Sequence, residues 1–165
     1  MNRMLGISVT AIALTASIAC GRTTAPSDLN SSSVGTFNLA VRPSPITATR
    51  CNPQCTGESG SGSFAYSMDM TLDLQDSASV GATVNSITLT ATADTTTFAP
   101  LTFSSDDIRR QAGATHVDGR ATLSIPLTVV YNTPSGRANL SVSVSVQITD
   151  DRNNQVTATG QTSVL

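Results

Sequence analysis

The sequence predicts an all-β domain, an antiparallel two-layer sandwich of about seven short strands. Two observations carry this reading. From Ala121 to Ile148, Leu123, Ile125, Leu127, Val129 and Tyr131 alternate with mostly polar or small residues. After a break at Asn132–Gly136, Leu140, Val142, Val144, Val146 and Ile148 do the same. Period-two alternation turns one set of side chains to a core and the other to solvent. The second observation is that similar runs recur along the chain, bounded by Gly, Pro, Asn and Asp clusters, with no helical period between them. The two strongest runs are expected to pair as a hairpin, whose apolar face a second sheet must cover.

Composition narrows the partners. The chain has 165 residues, enough for one domain, and a formal charge of −2. All of its basic side chains are arginines, spread along the chain, which leaves no footprint for nucleic acid or anionic headgroups. Charged residues make up only 12% while Ser and Thr abound, the composition of a solvated β-surface. There is no tryptophan and there are four phenylalanines, which argues against an aromatic platform for sugars or bases.

Residues 1–19 read as an export signal. Met1–Asn2–Arg3–Met4 is a short positive start, and Leu5 to Ala19 is apolar or small, too short and too rich in Ser and Thr for a membrane span. The segment ends Ser17–Ile18–Ala19–Cys20–Gly21. Here the chain resembles the lipobox of bacterial lipoproteins, in Ala19 and Cys20, while Ser17 stands where leucine is usual. The resemblance implies that Cys20 becomes the new N-terminus, carrying a thioether-linked diacylglycerol and a further acyl chain, an anchor far firmer than one chain. Gly21 in place of aspartate favours the outer membrane or cell surface over inner-membrane retention. The competing reading is ordinary secretion, or a periplasmic chain, with cleavage near Ala19 and a free Cys20. Three cysteines in an oxidising compartment leave one unpaired, and lipidation of Cys20 leaves Cys51 and Cys55 as an even pair.

Residues 20–33 then form the lipidated cysteine and a flexible, Ser/Thr-rich tether, and the domain is expected over 34–165. Phe37, Leu39 and Val41 set a first strand that Pro43 and Pro45 end. Arg50 to Gly62, with its Pro53 and glycines, reads as an irregular loop. A Cys51–Cys55 disulfide across it closes a short ring, contributes about 1–2 kcal/mol and pins a rim, not the core. Phe64, Tyr66, Met68, Met70, Leu72 and Leu74 alternate regularly, and Asp76–Ser79 turns the chain. Val80, Ala82 and Val84 share one parity, Ile87 and Leu89 the other, so Asn85–Ser86 is expected to be a bulge or a bend where two short strands meet. Asp94–Thr97 is a turn, and Phe98, Leu101 and Phe103 form a short strand interrupted by Pro100. Ser104–Gly113 holds a single helical turn capped by Ser105 or Asp106. Pro126 marks its strand as an edge or one that changes partner. Asp150–Asn154 turns into a last strand through Val156, Ala158, Thr162 and Val164.

About seven strands in such a length, each bounded by turn signals, is the pattern of an immunoglobulin-like or fibronectin-like sandwich; a small closed barrel is the alternative. The run Val144 to Gly160 resembles the end of bacterial Ig-like domains, which pass from a penultimate strand through an Asp/Asn-rich turn into a short last one. The cysteine spacing and missing tryptophan separate it from antibody-type domains.

Each candidate site has a plain structural counterpart. His116 and Asp118 are two apart and share a strand face, but no serine has the Gly-x-Ser-x-Gly context of a hydrolase. Cys51-x-x-x-Cys55 resembles copper chaperones of oxidase assembly, with His116, Met68 or Met70 as further ligands, yet lacks the proline that follows the second cysteine there. Asp150, Asp151 and Asn153 offer hard oxygens for calcium, and also the side chains that build ordinary turns. Asp107, Arg109 and Arg110 sit in an irregular segment, where binding residues gather. The expected function is a non-enzymatic, surface-anchored module for adhesion, envelope assembly or protein interaction, with no cofactor. The alternative is a calcium-dependent, glycan or small-ligand-binding module.

Overall fold

The computed structural model describes residues 36–56, 63–93, 95–133 and 139–165. The expected signal, Cys20, the tether and Val34 lie outside the described residues, as do Gly57–Gly62, Asp94 and the centre of the turn after Tyr131. Among the described residues the strands are β1 (Phe37–Arg42), β2 (Thr49–Thr56), β3 (Ser63–Asp76), β4 (Ala82–Ala93), β5 (Thr96–Thr97) and β6 (Leu101–Ser104). Helix α1 (Ser105–Ala112) follows, then β7 (His116–Val117), β8 (Thr122–Tyr131), β9 (Leu140–Asp150) and β10 (Gln155–Val164). They make two antiparallel sheets, an all-β sandwich with no closed barrel among the described residues.

In the first sheet β3 is central. Along one edge β8 pairs with it from Tyr66↔Tyr131 to Gln75↔Thr122. Its other edge is shared end to end, β2 pairing near Ser63–Ser67 and β1 near Thr71–Asp76. The second sheet repeats the plan around β4. There β9 takes one edge and extends to β10, while β5, β6 and β7 divide the other. Ile46 carries the chain across, bonding in parallel to the open edge of β10 through Ser163 and Leu165.

The alternation translates directly into burial. In β8, Leu123, Ile125, Leu127 and Val129 are buried and the residues between them are exposed; in β9 the buried set runs from Leu140 to Ile148, with exposed or half-buried residues between. With Leu72 and Leu74 of β3 and Val84 and Ile87 of β4 they form one core. Each such side chain contributes about 1.5–3 kcal/mol on leaving water. The expected bulge is present: the β4–β9 register shifts between Val84 and Ser86, which returns Ile87 and Leu89 to the core face. Pro126 lies on β8, whose ladder partner is β3. Lacking an N–H, Pro126 cannot donate to Thr71, so its nitrogen faces the open side, where an edge strand tolerates it.

Three expectations are corrected. The β8 and β9 runs are not a hairpin. They lie in opposite sheets, β8 beside β3 and β9 between β4 and β10, because alternation dictates which face is buried and not which strand lies alongside. Arg50–Thr56 is not loop but most of β2, paired at Thr49↔Ser67, Arg50↔Tyr66, Cys55↔Phe64 and Thr56↔Ser63. Its proline and polar residues fall in the bulge between Arg50 and Cys55 and on an edge, where they cost no ladder bond. Finally, α1 runs eight residues and is capped by Ser104, not Ser105 or Asp106. Ser104 Oγ accepts from Asp107 N, Asp107 Oδ2 accepts from Ser104 N, and Gly113 ends the helix in the left-handed conformation. Buried Ile108 docks it.

Candidate functional site

Cys51 and Cys55 form a disulfide with Cα atoms 5.4 Å apart, closing the bulge of β2. Its formation removes the thiolates that a copper site requires. Met68 and Met70 are buried fillers of the core face of β3. Asp107 is spent on the helix. Hydrogen bonds from the Ser104 hydroxyl and N–H, followed by the field of Arg110, hold its carboxyl below the usual range against some desolvation. Arg110 pairs with Asp107 and Arg109 with Asp106, yet both guanidinium side chains remain mostly exposed.

The acidic turns gather at one end of the sandwich, and each has an architectural explanation. Asp76 and Asp150 are the last inward-facing residues of β3 and β9, and both are buried. Asp76 accepts from Ala78 N (2.8 Å), Val80 N (2.9 Å) and Gly81 N (2.8 Å). Burial pushes its pKa up, but these bonds, with one from the Arg120 backbone, outweigh burial and hold it below the ordinary value. Asp150 accepts from Arg152 N, Asn154 N and Asn154 Nδ2 at 2.8–3.2 Å. Asn153 takes the left-handed conformation that this turn needs. Gly81 links the two turns, since its carbonyl accepts from Asp151 N at 3.1 Å. The carboxylate of Asp150 thus points at N–H donors, and among the described residues no three His, Cys, Asp or Glu side chains converge on a metal position.

His116 stands beside this end. Its Nε2 lies 3.5 Å from Asp118 Oδ1 and 3.8 Å from Asp151 Oδ2, and its Nδ1 lies 3.4 Å from Thr83 Oγ1. Thr83 is simply its cross-strand partner. Thr83 is half-buried on the central strand β4, while the other three side chains are exposed, the imidazole at 44%.

Two larger features stand out. The first is the outer face of the second sheet. Outward positions of β4, β9 and β10 hold Ser, Thr, Gln and Asn and no charged residue. Register aligns them in rows, such as Thr159–Ser145–Thr88–Thr102 and Ser163–Ser141–Thr92–Thr97. Thr157 Oγ1 donates to Gln147 Oε1 and Asn85 Nδ2 to Thr149 Oγ1 across strands. The first sheet differs: its outer face carries Asp69, Asp73 and Arg42, with Arg42 Nε 3.0 Å from Asp73 Oδ2. Parity alone made the uncharged face readable from sequence, but only pairing shows that three strands present it side by side.

The second feature is a cleft of about 390 Å³ between the sheets, at the end opposite the acidic turns. Phe64 and Met68 of β3, Leu89 and Ala91 of β4, Val129 and Tyr131 of β8, and Val142 of β9 line it, with Phe98 and Leu101. The Tyr131 ring stacks on Tyr66 with centroids 5.6 Å apart. Burial, then the neighbouring Tyr66, pushes the Tyr131 phenol up to about 12. The sequence marks these residues only as strand formers; nothing in it shows that they leave space.

No protein-family description matches the chain, and no curated protein does. Among solved structures it is similar to the X-ray structure of the Northeast Structural Genomics Consortium target SoR45, with a TM-score of 0.55 and 9% identity, over 78% of this chain and 85% of that one. A looser likeness, TM-score 0.37 at 13% identity, covers 78% of this chain and 30% of the Pseudomonas fluorescens alkylpurine DNA glycosylase AlkC bound to DNA containing an abasic-site analogue. Another, TM-score 0.33 at 11% identity, covers 80% of this chain and 93% of a Niemann-Pick type C2 protein from the Japanese carpenter ant. The first likeness shows a shared fold, and the other two carry no argument.

Proposed function

We propose that this chain is an exported, lipid-anchored, non-enzymatic interaction module that contacts an uncharged component of the cell envelope. The partner class is a hydroxyl- or amide-bearing polymer such as a neutral glycan. The observation that supports this is the uncharged outer face of the second sheet. A partner seated on rows such as Thr159–Ser145–Thr88–Thr102 meets many hydrogen-bonding groups and no charge to desolvate. Each bond is worth only about 0.5–1.5 kcal/mol net, so affinity comes from breadth of contact. The exposed position of His116 fits a non-catalytic role.

Such a contact is insensitive to salt, because there is no ion pair to screen. The test is retention of the full-length Cys20→Ser chain on washed envelope fragments, at low and high salt. Ser143→Lys, at the centre of the face, is expected to weaken retention about tenfold or more. Thr128→Lys, on the outer face of the other sheet, is expected to leave it unchanged. Retention that collapses with salt, or that is equal in both variants, sinks the reading.

A further inference from the structure

We infer that the cleft between the sheets is a binding site for a single hydrocarbon chain, supplied from outside this protein. Its volume of about 390 Å³ falls at the lower end of the range for small-molecule sites, which suits one chain better than a multi-chain lipid. Among the described residues no charged side chain lines it. Asn132, the side-chain amide among the described lining residues, is already committed: its Oδ1 accepts from Ala65 N at 2.8 Å and its Nδ2 donates to Ser63 O at 3.1 Å. The walls therefore offer packing without directional recognition, and any polar head of the ligand stays at the mouth.

The core face of β3 is filled from Met70 to Leu74, whereas Phe64 and Tyr66 at the cleft end are only half-buried. Leu101, at the cleft, is one of two large apolar side chains among the described residues that are exposed, at 44%. These are groups that gain by being covered. The position of the cleft follows from the register. β1 begins at Phe37↔Asp76, the opposite end of β3 from Phe64. From Met68 to Asp76 the strand spans roughly 26 Å at about 3.3 Å per residue, so the cleft and Phe37 lie at opposite ends of β3.

The chain supplies its own reporter, having two tyrosines and no tryptophan. Tyr131 lines the cleft and Tyr66 stacks on it, so tyrosine emission reports on this end of the sandwich. Titration of the full-length Cys20→Ser chain with the fluorescent fatty acid cis-parinaric acid is expected to quench tyrosine emission by energy transfer and saturate at one probe per chain. Ala91→Phe, which fills the cleft from β4, should weaken binding about tenfold or more while the thermal transition is kept. Thr90→Phe, on the other face of the same strand, should bind as the parent does. Should Ala91→Phe fail to fold, Leu101→Asp places a charge at the already exposed mouth and should produce the same loss. Absence of saturable binding by the parent overturns the inference, as does binding unchanged in the folded cleft variants. Ala91→Phe and Leu101→Asp leave the uncharged outer face intact, so envelope retention and chain binding can fail separately.

Discussion

Asp76 shows how one side chain closes a strand. The inward parity of β3 runs through Met70, Leu72 and Leu74, and the next inward position is a carboxylate with no exposure. It is tolerated because three N–H groups of the following turn, in place of water, satisfy it. Asp76→Asn must turn an amide nitrogen toward either Ala78 N or the pair Val80 N and Gly81 N. A loss of about 1–3 kcal/mol is expected, measured by denaturant melts at neutral pH. The same carboxyl predicts an acid dependence. Its folded pKa lies below the unfolded value near about 3.9, so in acid the unfolded chain binds the extra proton. Its contribution is full above that unfolded value and drains as pH falls through the folded one. The parent should therefore lose stability in acid more steeply than Asp76→Asn. Gly81 is tied to the same corner: its φ is +79°, and a Cβ there would come within 2.4 Å of Asp151 Oδ2.

At the scale of elements, β2 is the instructive strand. Cys-Asn-Pro-Gln-Cys reads as turn by composition, and it is indeed bulged, but Arg50 and Cys55 still find partners on β3. The disulfide then holds the bulge on an edge, away from the core. Replacing both cysteines by serine is expected to cost about 1–2 kcal/mol, because the ring closed is short. The thermal transition should stay cooperative, and a collapse of the whole fold would contradict this rim role. The helix teaches the reverse lesson. Its capping box is written in Ser104 and Asp107, but Asp106 and Ser105 are equally good caps by type, and only the β6 pairing Ser86↔Ser104 places the strand end at Ser104.

At the scale of the whole molecule, charge is divided between the two outer faces. One sheet presents Arg42, Asp69 and Asp73, and β4, β9 and β10 of the other present hydroxyls and amides, with His116 of β7 beside Thr83 at one end. The proposed anchor gives this division a setting, and it has its own check. Intact mass of chain purified from membranes should show cleavage before Cys20, acylation at that residue and a gain of two hydrogens on reduction. A soluble, unacylated chain would remove the anchor and leave the domain as it is. Tyr131 adds a marker at the other end, a phenol whose ionisation is displaced upward to about 12 beside the cleft.

The sequence by itself determined which side chains face inward. In β3, β8 and β9 the parity of Leu72, Ile125 and Val144 is buried as the alternation requires, and even the β4 bulge was visible as a change of parity. That is local geometry, set by successive Cβ atoms pointing to opposite sides of a strand. Tertiary structure decided the neighbours. Whether Leu127 and Val144 lie side by side in one sheet or in opposite sheets of one core leaves the same period-two trace, and competition among all the strands for edges settles it. The cleft and the uncharged face both follow from that choice, because each is assembled from strands far apart in the chain.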